Sequence, residues 1–377
     1  MTAGATLPRV LRLGGGAARD LPEVLAFLGI ARPVFVADPF FVGGPILGPL
    51  SCGAPVFSGV VPDPTTDSVE CCMVEAREAG ADGLVALGGG SAIDTAKAAA
   101  LILRHGGRMA DYAAPRPVLQ SGLPVVAIPT TAGTGSEATG FCVITASDSG
   151  DKFVCQGPGM VPAAALVDYE LTMSVPARLK AETGIDALVH GMEAFVGRAA
   201  HPWSDLQALE AVRLVGGTLR QACASREDRA AHETVARGSF LAGVAFSASG
   251  LGLIHAMSAP FGGAFDVPHA LSVAMLMVPV TRFSLPAAPP RYASLSRVLG
   301  IAQGSDETVA AAWPDFLERL AVDLGIRTMS GFGISEARYR AEIPAMAARA
   351  PRSGAAGNNP RQASLADIEA LFHAAWR

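Results

Sequence analysis

Short apolar runs alternate with helical stretches through the first half of the chain. The apolar runs are of strand length and occupy residues 33–38, 55–61, 83–87, 124–128 and 164–168. Runs of this kind suit strands that are buried on both faces of a sheet. Between them, apolar residues recur at helical spacing over residues 19–29, 66–80 and 91–105. The alternation predicts an α/β domain with a mostly parallel sheet and flanking helices.

The second half of the chain follows a different pattern. From about Arg178 the strand pattern stops, and helical spacing continues over residues 178–197, 203–223, 229–248, 268–281, 307–324, 335–349 and 364–375. We therefore expect an α/β domain over residues 1–177 and an all-helical domain over residues 178–377. The connectors are expected at 111–118, 282–292 and 353–361, which contain Pro, Gly or Asn.

One uncharged run raises the alternative of a membrane or scaffold protein. Residues 238–265 contain no Asp, Glu, Lys or Arg, and 28 residues are long enough to cross a bilayer. The run also holds four serines, six glycines and Pro260, and it lacks flanking basic clusters. These features favour a buried helix of the helical domain and no membrane association.

Composition favours a soluble cytoplasmic enzyme. A chain of 377 residues is long enough for two domains. Its net charge of −5 and its 29 scattered Lys and Arg residues argue against nucleic acid as a partner. The six cysteines show no CxxC spacing and no signal peptide opens the sequence, so we expect reduced thiols.

Four residues form a candidate metal site. Asp186 and His190 are four residues apart in a helical stretch, so they project from one face, about 6 Å apart at Cβ. His255 and His269 flank a run in which helix breakers could fold the chain back, namely Pro260, Gly262, Gly263 and Pro268. The alternatives are a surface hydrogen bond for the Asp/His pair and satisfied core histidines. Three of seven histidines lie in the segments with fewest charges, which favours a shared metal.

Two loops after predicted strands are suited to bind phosphate. Gly88, Gly89 and Gly90 allow a tight turn, and Ser91 is placed to cap the following helix, whose free amides would bind an anion. The second loop, 129–139, offers five hydroxyl groups, from Thr130, Thr131, Thr134, Ser136 and Thr139. Because the two loops follow neighbouring strands, they could hold a pyrophosphate and its riboses.

Two further polar residues bear on the choice of cofactor. Asp38 ends a predicted strand, where a carboxylate can bind an adenosine ribose diol and repel a 2′-phosphate, so NAD is favoured over NADP. An ordinary turn residue before Pro39 is the alternative. Lys152 follows SDSGD in a predicted β-hairpin, and it either contacts a ribose or phosphate or is a solvated lysine.

Four motifs together resemble the iron-containing (group III) alcohol dehydrogenase family. They are GGGSAIDTAK, PTTAGTGSEAT, TGIDALVHGMEAF and HAMSAPFGGAFDVPHA, and the likeness covers nearly the whole chain. The segments KFVCQGP and AFSASGLGLIHAM are most similar to the branch of lactaldehyde reductases, or propanediol oxidoreductases. The resemblance implies a Rossmann-like sheet plus an all-α C-terminal domain, an architecture shared with dehydroquinate synthase.

The resemblance also implies an activity and its site residues. It implies an NAD-dependent alcohol dehydrogenase or aldehyde reductase for small primary alcohols or aldehydes, working as a homodimer. Its Fe²⁺ ligands would be Asp186, His190, His255 and His269, although Zn²⁺ is possible because it ranks above Fe²⁺ in affinity. The cofactor-binding residues would be Asp38, Gly89, Gly90, Ser91, Asp94, Thr130, Thr131, Thr134, Ser136, Lys152 and Leu171.

The chain departs from the family pattern near the substrate. Ala259 stands where the family commonly has a second histidine, four residues after the third ligand, so the sequence identifies no proton donor. Phe141, Phe246 and Phe261 could form an apolar substrate pocket. A maleylacetate-reductase-like or phosphonoaldehyde-reducing enzyme is the alternative within the fold, but no cationic residue for an anionic substrate is obvious around the ligands. A lyase similar to dehydroquinate synthase would require several Lys and Arg residues around the ligands.

Overall fold

The computed structural model describes residues 4–377 and divides the chain after Val175 into two compact units. In the first unit, six strands form one sheet: β1 (Val10–Leu13), β2 (Pro33–Ala37), β3 (Val56–Phe57), β4 (Gly83–Gly88), β5 (Val125–Pro129) and β8 (Ala164–Val167). Every neighbouring pair is parallel, and the order is β1-β8-β5-β4-β2-β3. The predicted parallel sheet is confirmed.

The chain reverses direction across the sheet between β2 and β4. From β2 it moves outward to β3, and it then returns to place β4 on the other side of β2. Ligands of parallel sheets bind beside the carboxyl ends of strands at such a switch point. The residues that follow β2 and β4 therefore lie at the position where a nucleotide is expected.

Four helices and a two-stranded ribbon complete the first unit. The helices are α1 (Leu21–Leu28), α2 (Leu47–Ser51), α3 (Thr66–Glu78) and α4 (Gly90–His105). The predicted hairpin is the antiparallel pair β6 (Phe141–Thr145) and β7 (Lys152–Gln156). Strand β1 has no counterpart among the predicted strands. It is a short edge strand, and it leaves Leu11 and Leu13 exposed, so it lacks the continuous apolar run of a central strand.

The second unit is helical, as predicted. Its helices are α5 (Ala177–Val196), α6 (Pro202–Ala224), α7 (Arg229–Ser249), α8 (Leu253–Phe265), α9 (His269–Ser284), α10 (Pro289–Val298), α11 (Asp306–Asp323), α12 (Met329–Phe332), α13 (Glu336–Arg349) and α14 (Leu365–Ala375). The predicted connector 282–292 is mostly helical, because α9 continues to Ser284, a 3-10 turn spans Leu285–Ala287, and the last four residues begin helix α10. Helix α10 begins at two prolines, which the first turn of a helix tolerates because its N–H groups have no partner within the helix.

Of the four predicted helix breakers in 255–269, Pro268 lies in a helix break, at the N-cap of α9, and the other three are wrong. Helix α8 runs through Pro260, Gly262 and Gly263, and it ends at Asp266, whose φ of 54° is left-handed. A proline inside a helix costs about 3 kcal/mol. The aromatic packing of α8 offsets this cost, since Phe261 and Phe265 contact the ring of Tyr339 at 6.0 and 5.8 Å between centroids.

The uncharged run 238–265 forms the second half of α7 and the whole of α8. A bend of 103° separates α7 from α8. Among residues 4–377, one other segment, His269–Ala287, has the length and mean hydropathy (1.4) of a membrane span, but 56% of its apolar window is buried within the protein. Core helices have the same length and composition, so these segments are weak evidence for membrane insertion.

Candidate metal centre and nucleotide loops

Three helices bring Asp186 and three histidines together in the helical unit. Asp186 and His190 lie on α5, His255 lies in the first turn of α8, and His269 is the first residue of α9. One oxygen, Asp186 Oδ1, lies 3.7 Å from His190 Nε2, 3.4 Å from His255 Nε2 and 3.9 Å from His269 Nε2. The three imidazoles of the predicted set thus lie within 4 Å of one carboxylate oxygen, and the ligand atoms of Asp186, His255 and His269, without His190, are also mutually close.

The polar atoms of this cluster fit a metal ion. Within residues 4–377, Asp186 Oδ1 and His255 Nε2 are both buried and have no hydrogen-bond partner. Leaving two such atoms unsatisfied is costly unless something else binds them. Asp186, His255 and His269 offer ligand atoms within 4.8 Å of one another. One carboxylate and three imidazoles are donors that suit Zn²⁺ and Fe²⁺.

Burial and charge act in opposite directions on these groups. Burial alone would raise the pKa of Asp186, but the three imidazoles outweigh it and hold that pKa below its ordinary range. Burial alone would lower the pKa of His255, but nearby carboxylates raise it to about 9. The His269 side chain is 42% exposed, whereas those of Asp186 and His190 are 1% and 4% exposed. Solvent thus reaches the cluster on the His269 side.

Glu193 is a functional candidate that the sequence analysis missed. Its buried carboxylate accepts a 2.6 Å hydrogen bond from His255 Nδ1 and further bonds from the backbone amides of Gly252 and Ile254. The signal was available in the spacing, because residues 186, 190 and 193 fall on one face of a helix. An acidic residue on a buried helical face requires a partner.

The predicted pocket residues of the helical unit separate into two environments. The ring of Phe246 lies 4.5 Å from the His190 ring, beside the cluster, and Ala259 is half-buried one turn after His255. Phe261 is fully buried and contacts Phe265 and Tyr339. Its expected position in an accessible pocket is therefore corrected, since it belongs to the core of the helical unit.

In the α/β unit, the two predicted loops lie against each other. Gly88 pairs with Pro129 across β4 and β5, and the Thr130 amide donates to the Gly88 carbonyl at 3.0 Å. A Cβ on Gly90 would lie 3.0 Å from Thr134 Cγ2 and 3.3 Å from Ser136 Oγ. The glycine loop thus leaves its backbone amides close to the hydroxyls of the second loop, where Thr131 also lies, within 3.4 Å of a Cβ placed on Gly89.

Ser91 is not the capping residue that the sequence predicted. Helix α4 begins at Gly90, Gly89 occupies the N-cap position, and Ser91 is the second residue of the helix. Glycine is acceptable at this position, since it leaves the first-turn amides open to a ligand. Helix α4 therefore starts nearer to the strand than predicted, and its first-turn amides remain able to bind an anion.

Asp94 and Lys97 connect α4 to the ribbon. Asp94 is buried, and its Oδ2 accepts from the Val143 amide at 2.9 Å. Buried Lys97 donates from Nζ to the carbonyls of Thr139 and Phe141, both at 2.9 Å. These bonds attach the end of the second loop and the start of β6 to the helix that follows the glycine loop. The Asp94 carboxylate is therefore directed to the ribbon backbone, and Phe141 is half-buried beside it.

The remaining predicted cofactor residues lie in separate places within the unit. Asp38 follows β2, its amide donates to the Leu87 carbonyl of β4, and its Oδ1 accepts from the Phe40 amide at 2.9 Å. Asp38 thus stabilises the turn that follows β2, which was the alternative for this residue, and it also lies beside the glycine loop. Lys152 forms a 2.9 Å ion pair with Asp63. Leu171 is buried in the core on one face of the sheet.

Known proteins similar to this chain share both its sequence and its fold. Residues 8–169 match the description "Iron-containing alcohol dehydrogenase", and residues 180–376 match "Fe-containing alcohol dehydrogenase family, C-terminal". Long-chain-alcohol dehydrogenase 1 of Geobacillus thermodenitrificans (strain NG80-2) is 35% identical over 99% of this chain and 97% of its own length. Lactaldehyde reductase of Escherichia coli (strain K12) is 36% identical over 85% and 84%. A crystal structure of 1,3-propanediol oxidoreductase has a TM-score of 0.94 at 32% identity and covers 100% of both chains.

A parallel α/β unit with paired glycine and hydroxyl loops, followed by a helical unit with a histidine–carboxylate cluster, defines a metal-binding, NAD-dependent oxidoreductase. The chain belongs to the iron-containing alcohol dehydrogenase family. The resemblance found in the four sequence motifs is confirmed, and so is the two-part architecture that it implied.

Proposed function

We propose that this protein interconverts a small primary alcohol and its aldehyde with NAD(H), using Fe²⁺ or, alternatively, Zn²⁺ held by Asp186, His190, His255 and His269. The observation that carries the proposal is the convergence of three imidazole nitrogens within 4 Å of Asp186 Oδ1. The buried and unsatisfied Asp186 Oδ1 and His255 Nε2, considered among residues 4–377, supply the energetic reason for a bound cation.

The residues of the site have separate roles. A divalent ion in such a site supplies Lewis acidity toward an alcohol or aldehyde oxygen, and nicotinamide supplies or accepts the hydride. Asp186 provides the negative charge that the three neutral imidazoles lack. The exposed side of His269 leaves a path by which a substrate can approach. Phe246, buried beside His190, gives the cluster an apolar neighbour, which favours an uncharged substrate.

The α/β unit supports NAD as the cofactor. The Gly88–Gly90 turn opens helix α4 at the sheet's switch point, beside Asp38 and the hydroxyls of Thr131, Thr134 and Ser136. We propose residues 1–177 as the dinucleotide-binding domain and 178–377 as the metal- and substrate-binding domain. We assign Gly89, Gly90, Ser91, Asp94, Thr130, Lys152 and Leu171 to the cofactor site on the family resemblance, together with the hydroxyl residues and Asp38.

Removal of the metal tests the proposed function. Chelator-treated protein should lose aldehyde-dependent NADH oxidation, and Fe²⁺ or Zn²⁺ should restore it, because in this proposal the bound ion is the Lewis acid that polarises the aldehyde oxygen. Mg²⁺ is the control, since it prefers oxygen ligands. The measurement uses short, branched, aromatic and anionic aldehydes, so that it also ranks substrate classes. Full activity of protein shown to be metal-free would contradict the proposal.

Asp38→Gly tests the cofactor preference. We expect the ratio of kcat/KM with NADPH to that with NADH to rise about tenfold, because a carboxylate near a 2′-phosphate costs on the order of 1 kcal/mol or more. Asp148→Gly, at an exposed aspartate of the hairpin, is the control. An unchanged ratio would show that Asp38 serves the turn alone, through its bond to the Phe40 amide.

We further propose a cytoplasmic homodimer with no nucleic-acid or membrane partner. Support comes from the edge position of β1, whose Leu11 and Leu13 are exposed, as is Leu7 before the strand. A free sheet edge with apolar side chains is suited to pair with a second chain. Sedimentation velocity of the metal-loaded preparation distinguishes this dimer from a monomer.

A further inference from the structure

Glu193 has a buried carboxylate whose oxygens both accept hydrogen bonds. Oε1 accepts from the Ile254 amide at 2.7 Å. Oε2 accepts from the Gly252 amide at 2.9 Å and lies 2.6 Å from His255 Nδ1. The Glu193 residue is only 2% exposed. It thus anchors the first turn of α8 from outside that helix, and it binds the imidazole that this turn carries.

The bond to Nδ1 determines which nitrogen of His255 faces the cluster. A carboxylate only accepts hydrogen bonds, so the proton of a neutral His255 ring lies on Nδ1. Nε2 then carries the lone pair, and it is the nitrogen that lies 3.4 Å from Asp186 Oδ1. A histidine that ligates a metal requires this arrangement, in which the second nitrogen donates to an acceptor that fixes the ring.

We infer that Glu193 is a positioning residue for a divalent metal, acting through the orientation and tautomer of His255. The inference rests on the metal site of the proposed function. Glu193 does not belong to the cluster that surrounds Asp186 Oδ1. Glu193 acts on the metal indirectly, because it binds the ligand His255 and the start of helix α8 that positions His255.

Glutamine cannot replace Glu193 in this environment, although it has the same shape. Three N–H groups point at the carboxylate, from Gly252, Ile254 and His255. A glutamine offers one accepting oxygen and one NH₂ group. At least one of the three donors would therefore face another donor, and either the ring or the start of α8 would move.

The test compares Glu193→Gln with Asn358→Ala. Asn358 Nδ2 donates to the carbonyls of Ser249 and Leu251, both at 2.9 Å, so its loss loosens the same α7–α8 turn without touching His255. Dissociation constants for Zn²⁺ are measured in metal-free protein by competition with a chromophoric chelator, and thermal unfolding is measured alongside. We expect Glu193→Gln to weaken Zn²⁺ binding about 10- to 100-fold. Asn358→Ala should lower thermal stability and leave Zn²⁺ affinity within about threefold of wild type, because His255 keeps its partner.

The outcomes separate this inference from the proposed function. Equal Zn²⁺ affinity of the two variants, with wild-type protein binding normally, overturns the role of Glu193 alone. Wild-type protein that binds neither Zn²⁺ nor Fe²⁺ overturns the proposed function as well. Should Glu193→Gln fail to fold, ¹⁵N-histidine NMR of Zn²⁺-loaded wild-type protein decides the question. A proton on His255 Nδ1 with Nε2 bound to zinc is expected, and zinc on Nδ1 contradicts the inference.

Discussion

Replacing Asp186 with asparagine is expected to remove the bound metal and to lower kcat/KM for aldehyde reduction by ~10³-fold, a loss of about 4 kcal/mol. Asp186 is the shared neighbour of all three imidazoles, through one oxygen. Asparagine keeps the shape but removes the only negative charge among the four proposed ligands. Metal content of the purified protein and steady-state kinetics are the measurements.

A matched control exists in the same unit. Asp205 accepts from the Arg291 guanidinium at the side of α6, outside the cluster. Asp205→Asn should reduce thermal stability modestly, since it weakens a half-buried ion pair, and it should retain metal and activity. Wild-type metal content in the Asp186→Asn protein would remove Asp186 from the ligand set.

Gly90→Val should weaken NADH binding by about 100-fold or more. A Cβ at residue 90 would already lie 3.0 Å from Thr134, and the branched side chain of valine needs more space than this. The glycine loop and the hydroxyl loop would have to separate, and the amides at the start of α4 would lose their common geometry for a pyrophosphate. Fluorescence titration with NADH gives the affinity directly.

The control for this prediction is Gly217→Val on α6, in the helical unit. Outside the backbone of its own helix, a Cβ there would meet one atom of the described residues within 4 Å, Leu299 Cδ2 at 3.9 Å. Its effect should be confined to helix propensity, which favours valine over glycine by about 0.5 kcal/mol or less, so neither stability nor NADH affinity should fall. Unchanged NADH affinity in Gly90→Val would show that the cofactor does not use this loop.

Periodicity predicted most of the architecture because the elements are long or buried on both faces. The central strands β2, β4 and β5 are nearly continuous apolar runs, and the bounds of α4 and α5 lie within one residue of those predicted. The errors lie where local preference and tertiary packing disagree. Helix α8 passes through Pro260 because the packing of Phe261 and Phe265 outweighs the lost backbone bond.

In the candidate site, too, local spacing predicted some features and tertiary packing decided the others. Spacing on one helix indicated that Asp186 and His190 share a face, because side chains four residues apart lie one turn apart. The approach of His255 and His269 depends on the break at Asp266–Pro268, which includes the predicted breaker Pro268 but none of Pro260, Gly262 and Gly263. Glu193 escaped notice because its role depends on three N–H groups about sixty residues further along the chain.

The amino-acid sequence by itself determined a parallel α/β half, a helical half, two loops suited to a dinucleotide and four candidate ligands of one metal. Periodicity and residue type carry this information, since both are local properties of the chain. Only the tertiary structure decided that one oxygen of Asp186 is the common neighbour of the three imidazoles, that Phe261 is a core residue and that Glu193 holds His255. Those facts depend on the directions of side chains from helices that are distant in sequence, and packing sets these directions.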